Sequence, residues 1–189
     1  MAKMPAQKPG QSVQNRRTPE NFLAAVKHKL GIAEFNIDLA ADDDNAVAPL
    51  YYTQEEDALQ QTWAIRPGGW NWLNPEFGDI SPWVERAWTE LRCRDLQPST
   101  AVLVPAGVGS DWWRDWVHEK AHVLLLNGRL CFIHDWQHTV DPATEKPDKG
   151  PARFYSQAPL YPKDCCLLLY TTDLSPWYRV WDWRKEIPK

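Results

Sequence analysis

The 189-residue sequence predicts an α/β fold built on a mixed, mostly parallel sheet. Three observations carry this expectation. Between residues 18 and 117 short apolar runs alternate with segments of helical period, which is the pattern of strand–helix–strand units. Two apolar runs, 122–126 and 129–133, flank Asn127-Gly128, a dipeptide typical of hairpin turns, and this pair predicts an antiparallel edge. A last apolar run over 165–170 returns the chain to the sheet.

Residues 1–17 are rich in Gln, Lys and Pro without periodicity and are expected to form a flexible tail. Thr18-Pro19-Glu20 then supplies an N-cap, a first-turn proline and an early acid. Phe22, Leu23, Val26 and Leu30 follow at helical spacing, so a helix should run to about Gly31. Residues 35–40 alternate apolar and polar side chains and lead into the small acidic stretch 41–45, which places Asp38 near the carboxyl end of a strand. Pro67-Gly68-Gly69 is a turn. It precedes a short strand, Trp70-Asn71-Trp72-Leu73, whose carboxyl end delivers Asn74-Pro75-Glu76-Phe77.

Ser81-Pro82 starts a second helix carrying Trp83, Val84, Ala87, Trp88 and Leu91. A buried-type strand over 101–105 ends in Ala106-Gly107-Val108-Gly109, and Ser110-Asp111 opens a third helix to about Val117. Residues 134–162 are polar and proline-rich, longer than an ordinary connection, and loops of that kind are usually functional or mobile. The aromatic stretch 177–183 reads as a final strand. The expected organisation is therefore a tail over 1–17 and one domain over 18–189, with a long loop at about 134–162 available to contact a ligand.

Composition narrows the function. A formal charge of −4 argues against a protein coated in positive potential, so any nucleic-acid contact must come from a local basic face. Arg114, His118, Lys120, Arg129, Lys146, Lys149, Arg153 and Lys163 are the candidates for it. No apolar run approaches the roughly 18 residues of a membrane span, and the polar start lacks the core of a signal peptide. A soluble, cytoplasmic protein with no membrane partner is expected; the oligomeric state is not readable. Cys93, Cys131, Cys165 and Cys166 contain no C-x-x-C pair and read as reduced core residues. Most of the 12 tryptophans are expected in packing, a minority in base stacking.

Open α/β sheets bind ligands beyond the carboxyl ends of their strands, and three such ends occur here, at 38–40, 74–77 and 105–109. The second carries distinctive chemistry. The exocyclic amine of adenine is a poor nucleophile because its lone pair is delocalised into the ring. The Asn74 side-chain oxygen and the Pro75 backbone carbonyl can accept its two N–H bonds, favouring a pyramidal nitrogen and stabilising the positive charge that develops there. Phe77 would stack on the base after it is flipped from the helix. Elsewhere, His134-Asp135-x-x-His138 has metal-ligand spacing but loop surroundings, and Asp42-Asp43-Asp44 reads as an acidic turn before it reads as a cation site; no metal is expected.

Around this centre the sequence resembles the phage-type DNA N6-adenine methyltransferases, the Dam family. The matching blocks run in order: Thr18-Pro19 with Phe22; Phe35-x-x-Asp38-x-Ala40 with Asn45-Ala46; Trp72-Leu73-Asn74-Pro75-x-Phe77 with Asp79-Ile80 and Pro82-Trp83. Leu103-Val104-Pro105-Ala106, Trp113-Arg114, Asn127-Gly128-Arg129-Leu130 and Tyr161-Pro162-Lys163-Asp164 follow. The resemblance implies a Rossmann-like methyltransferase core that uses S-adenosylmethionine. It further implies that Thr18, Pro19, Asp38, Ala40 and Asn45 help hold this cofactor and that Asn74, Pro75 and Phe77 hold the target adenine of double-stranded DNA. Arg114, Arg129, Arg153 and Lys163 are the expected DNA contacts. The family's usual motif is Asn or Asp followed by two prolines and Tyr or Phe, whereas Glu76 stands here in place of the second proline. That departure keeps a catalytically degenerate binding module as an alternative, and the same acceptor geometry would also serve the N4 amine of cytosine.

Overall fold

The computed structural model describes residues 16–93, 98–134, 161–173 and 175–186. Its elements are β1 (Arg16–Arg17), α1 (Glu20–Leu30), β2 (Trp70–Leu73), α2 (Ser81–Cys93), β3 (Ser99–Pro105), α3 (Asp111–Trp116), β4 (His122–Leu126), β5 (Ile133–His134), β6 (Cys165–Tyr170) and β7 (Tyr178–Trp181). The main sheet has the order β2-β3-β6-β4-β7. β2 and β3 are parallel, as are β4 and β7, while β6 is antiparallel to both β3 and β4. Four strands therefore point one way and β6 alone points the other.

Period-two alternation divides the core between the two faces of this sheet. Ala101 and Leu103 of β3, with Cys165, Leu167 and Leu169 of β6, face Phe22, Leu23, Ala25 and Val26 of α1. Val102 and Val104, with Cys166, Leu168 and Tyr170, face Val84, Ala87 and Leu91 of α2 and Trp113 of α3. Apolar side chains thus leave both faces of the two central strands, and helices cover each face. The eleven described tryptophans are buried or half-buried, in keeping with packing roles for most of them.

Several elements depart from the sequence reading. The antiparallel strand is at the centre of the sheet, not at its edge. Asn127-Gly128 turns the chain but closes no hairpin, because both edges of β4 are taken by β6 and β7. The segment beyond the turn instead ends in β5, which pairs with β1, so Arg16 and Arg17 of the expected tail form a short strand. Thr18 does not cap α1: Pro19 occupies the N-cap with no side-chain hydrogen bond, and Gly31 ends the helix in the left-handed conformation at φ 67°. The strand expected over 35–40 contracts to parallel bridges from Asp38 to Trp72 and to Tyr51. It stops there because the Asp38 carboxylate turns back onto the amides of Ala40 and Val47. Residues 1–15 of the tail and residues 135–160, including Asp135, His138, Lys146, Lys149 and Arg153, lie outside the described residues.

Among the described residues no helix is long and apolar enough to cross a membrane.

Candidate active site

The Asp38 segment and β2 run side by side in parallel, joined by backbone bonds from Leu39 to Trp72 (2.9 Å) and from Trp72 to Ile37 (2.9 Å). Their carboxyl ends consequently open on one side, Ala40 two residues past the Asp38–Trp72 bridge and Asn74 two residues past its partner. The turn before β2 sets this register. Asn36 binds the Gly68 carbonyl at 2.8 Å, and a side chain on Gly69 (φ 72°) would collide with Asn36 at 2.8 Å.

A cleft of about 780 Å³ lies beyond these ends, within the roughly 300–1,000 Å³ range of small-molecule sites. Thr18, Asp38, Ala40, Asn45, Asn74, Pro75 and Phe77 all line it, with Glu76 exposed on its wall. Pro19 is not among the lining residues; its contribution is the N-cap of α1. The third strand end, 105–109, takes no part, since Trp112 lies so close over Gly107 that an added Cβ would meet it at 2.6 Å.

Asn74 is half-buried, and its two amide ends have different fates. Nδ2 donates to the Thr18 hydroxyl at 3.3 Å, whereas the buried Oδ1 has no hydrogen-bond partner among the described residues. A buried acceptor without a donor costs free energy, so an N–H that reached it would relieve that cost. Phe77 is gripped from two sides: Phe132 and Tyr161 meet it in edge contacts at 5.9 and 5.5 Å and contact each other at 5.4 Å. The backbone bond from Tyr161 to Leu130 (2.8 Å) ties the two partner segments together.

Asp38 is 3% exposed and accepts from the amides of Ala40 (3.2 Å) and Val47 (3.1 Å). Burial pushes its pKa up to about 6, with these amide bonds pulling the other way. Because the folded value exceeds the ordinary 3.8, Asp38 contributes stability that is fully present below pH 3.8 and is lost as pH rises through about 6. The loss should reach roughly 3 kcal/mol, and the slope should vanish in Asp38→Asn; urea unfolding of both proteins across this window measures it. Asn45 closes the adjoining loop onto Asp42, donating through Nδ2 at 2.8 Å and accepting the Asp42 amide at 3.0 Å.

Of the expected DNA contacts, Arg153 lies outside the described residues, and Arg114, Arg129 and Lys163 are not among the residues lining the cleft. Arg114 on α3 is held bidentately by Asp115 (2.7 and 2.8 Å) and also by Asp111 (2.9 Å). Arg129 is 3.6 Å from Asp164, and Lys163 is exposed beside that pair. Among the described residues the cleft is acidic: Asp38, Asp42, Asp57, Glu76 and Asp79 line it against one basic side chain, Arg17. Among the described residues no group of three or more His, Cys, Asp or Glu is placed to hold a metal.

The family described as DNA N-6-adenine-methyltransferase (Dam) matches residues 7–153, more than half of the chain. The chain belongs to the DNA N-6-adenine-methyltransferase (Dam) family. Two phage proteins bearing the description DNA N-6-adenine-methyltransferase are similar to this Dam-family chain. The protein of Escherichia phage T1 is 24% identical over 113 residues, 60% of this chain and 44% of its own length. That of Haemophilus phage HP1 (strain HP1c1) is 28% identical over 104 residues, 54% of this chain and 57% of its own. The chain thus spans about half the length of these relatives. The Dam match covers Asp38, Asn74 and Phe77 but stops before Tyr161, which nonetheless reaches the same cleft.

Trp83 and Tyr161 stand in the blocks that carry the family resemblance, without an assigned role, and Phe132 is in none of them; all three line the cleft. Phe132 sits in an apolar run that reads as strand core, and only the tertiary fold brings it to Phe77. Tyr161 did carry a signal, the aromatic at the return from the long polar stretch.

Proposed function

We propose that the chain is a DNA adenine-N6 methyltransferase with a Rossmann-like core, acting on a flipped adenine of double-stranded DNA with S-adenosylmethionine as donor. The observation that carries this reading is Asn74, a residue lining the cleft whose buried Oδ1 has no hydrogen-bond partner among the described residues. The residues suit the donor as well. Asp38 is a carboxylate with little solvent around it, so a cationic ligand stabilises its charged form, and affinity for such a ligand should climb as pH rises through about 6. Ala40 leaves room for close approach, and Asn45 holds the loop that walls this side.

When bound, S-adenosylmethionine supplies an electrophilic methyl on a sulfonium. The chain supplies orientation. Asn74 Oδ1 and the Pro75 carbonyl accept the N–H bonds of the adenine amine and keep its lone pair directed at the methyl. Phe77, braced by Phe132 and Tyr161, offers the flipped ring a face. The acidic cleft favours the cationic donor over phosphate, so the duplex backbone is left to basic groups around the opening, with Arg129, Lys163, Arg114 and Arg153 as candidates. The acting environment is the cytoplasm, where DNA and the donor coexist.

Incubation with methyl-labelled S-adenosylmethionine and adenine-containing duplexes, followed by base analysis of the product, tests the proposal. Label at adenine N6 is expected; label at cytosine N4 would reassign the base, and no label across varied sequences would overturn the activity. A second reading rests on Glu76, whose carboxylate adds to the acid of the cleft where the family places a proline. Donor binding in calorimetry without turnover, with turnover appearing in Glu76→Pro, would favour that degenerate form.

A further inference from the structure

We propose that Trp83 is a binding residue for the nucleoside end of the methyl donor, its indole contacting the donor's adenine ring. The inference rests on the proposed use of S-adenosylmethionine and names the wall of the cleft that takes the uncharged half of that molecule.

The proposed reaction brings two adenines into one cleft, the target base and the adenine of the donor. Asn74, Pro75 and Phe77 are assigned to the first. Phe77 has its ring partners, Phe132 and Tyr161, in the core cluster on the α1 face of the sheet. Asp38 is assigned to the cationic part of the donor. The nucleoside that remains is uncharged and ends in a flat ring, so it calls for an apolar wall with a few polar groups beside it. A second wall of the cleft has this character. Half-buried Trp83, in the first turn of α2, lines it with Ala58 and Leu59, and Thr53, Gln54 and Asp57 of the same loop add polar groups. Trp83 packs in the cluster on the α2 face, a different one from the brace of Phe77.

This wall is built to keep its shape. The ring of Trp63 stacks on that of Trp83, with centroids 6.5 Å apart and planes 26° from parallel. Trp63 is fully buried and is the packing member of the pair; Trp83 is the one that reaches the cleft. Trp63 is also tied down. Its indole N–H donates to the Ala58 carbonyl at 2.8 Å, and its own carbonyl accepts from the buried Asn71 side chain of β2 at 2.9 Å. Arg86, one turn beyond Trp83 on α2, donates to the Gln61 carbonyl at 2.9 Å, and the Tyr52 hydroxyl donates to the Thr62 carbonyl at 2.9 Å. The loop, the start of α2 and β2 are thereby cross-linked, and Asn74 lies at the end of β2. An aromatic ring fixed relative to Asn74 suits a donor whose methyl must be held on one line toward one nitrogen.

The probes are S-adenosylhomocysteine, which keeps the donor's adenosine and amino-acid parts and lacks the methyl, and adenosine, which keeps the nucleoside alone. In calorimetry with the full chain, Trp83→Leu should bind S-adenosylhomocysteine roughly ten- to hundredfold more weakly, the range of one base–aromatic contact, and adenosine should lose a similar factor. Trp83→Phe keeps a ring and should stay within about threefold of wild type. A readout that needs no loss of binding is 19F NMR of the chain labelled with 5-fluorotryptophan. The resonance missing from Trp83→Phe identifies Trp83, and in the wild-type chain it should shift when adenosine or S-adenosylhomocysteine is added. A folded Trp83→Leu with wild-type affinity, or a Trp83 resonance that stays in place at saturating S-adenosylhomocysteine, would overturn the inference. If circular dichroism finds Trp83→Leu unfolded, the resonance in the wild-type chain decides alone. A wild-type chain that binds S-adenosylhomocysteine at Trp83 and methylates no duplex would defeat the proposed activity and leave the inference standing. One that binds no S-adenosylhomocysteine would overturn the donor and the inference together.

Discussion

Asn74→Ala is expected to abolish methyl transfer, lowering the rate by on the order of 10²- to 10³-fold or more, while circular dichroism and unfolding midpoint stay near wild type. The two halves of this result have one origin. In the absence of substrate Asn74 Oδ1 is buried without a donor, so the side chain contributes little to the folded state and its removal lifts a desolvation cost. Its one side-chain hydrogen bond among the described residues, to Thr18, is long at 3.3 Å. During transfer the same oxygen is asked to hold a hydrogen that becomes more acidic as the amine gains positive charge, and such bonds strengthen at the transition state. Measurement of single-turnover rates with saturating donor and duplex, beside urea unfolding of the same preparations, checks both halves. Wild-type turnover in the variant would remove Asn74 from the reaction. A collapse of stability would instead make it a structural residue.

Leu168→Ala is expected to have the opposite profile, a large loss of stability with no direct loss of chemistry. Leu168 is fully buried in the central strand and is flanked in register by Val102 of β3 and Val123 of β4, with α2 and α3 covering its face. Truncation leaves a void that neither neighbouring strand can close without breaking its ladder. The cost should be about 3–4 kcal/mol, seen as a lower urea midpoint in tryptophan fluorescence with the slope retained. Leu50→Ala, at a side chain 42% exposed, should stay within about 0.5 kcal/mol and serves as the control.

Local periodicity made α1, α2 and α3 readable, and continuous apolar runs made the strands over 101–105 and 165–170 so, while the aromatic stretch 177–183 announced β7, whose side chains are mostly exposed. What escaped is non-local. Asn127-Gly128 carries a hairpin turn's residues, yet β4 pairs with β6 and β7, which take both its edges. The 35–40 segment alternates as a strand should, but the Asp38 carboxylate takes the Ala40 amide from the ladder. Thr18 has an N-cap's chemistry and spends it across the cleft, a partnership with Asn74 that sequence distance conceals. The candidate site was legible where residues sit on one strand end, as with Asn74, Pro75 and Phe77. It was illegible where the aromatic brace of Phe132 and Tyr161 assembles from either side of the long intervening stretch.

The reversed strand at the centre of the sheet also governs how the protein is made. β3 and β4 have no pairing with each other, and each meets the sheet through β6, which leaves the ribosome after both. Until residues 165–170 emerge, the edge of β3 and the whole of β4 are apolar strands awaiting a partner, so assembly is expected to be late, slow and sensitive to crowding by other nascent chains.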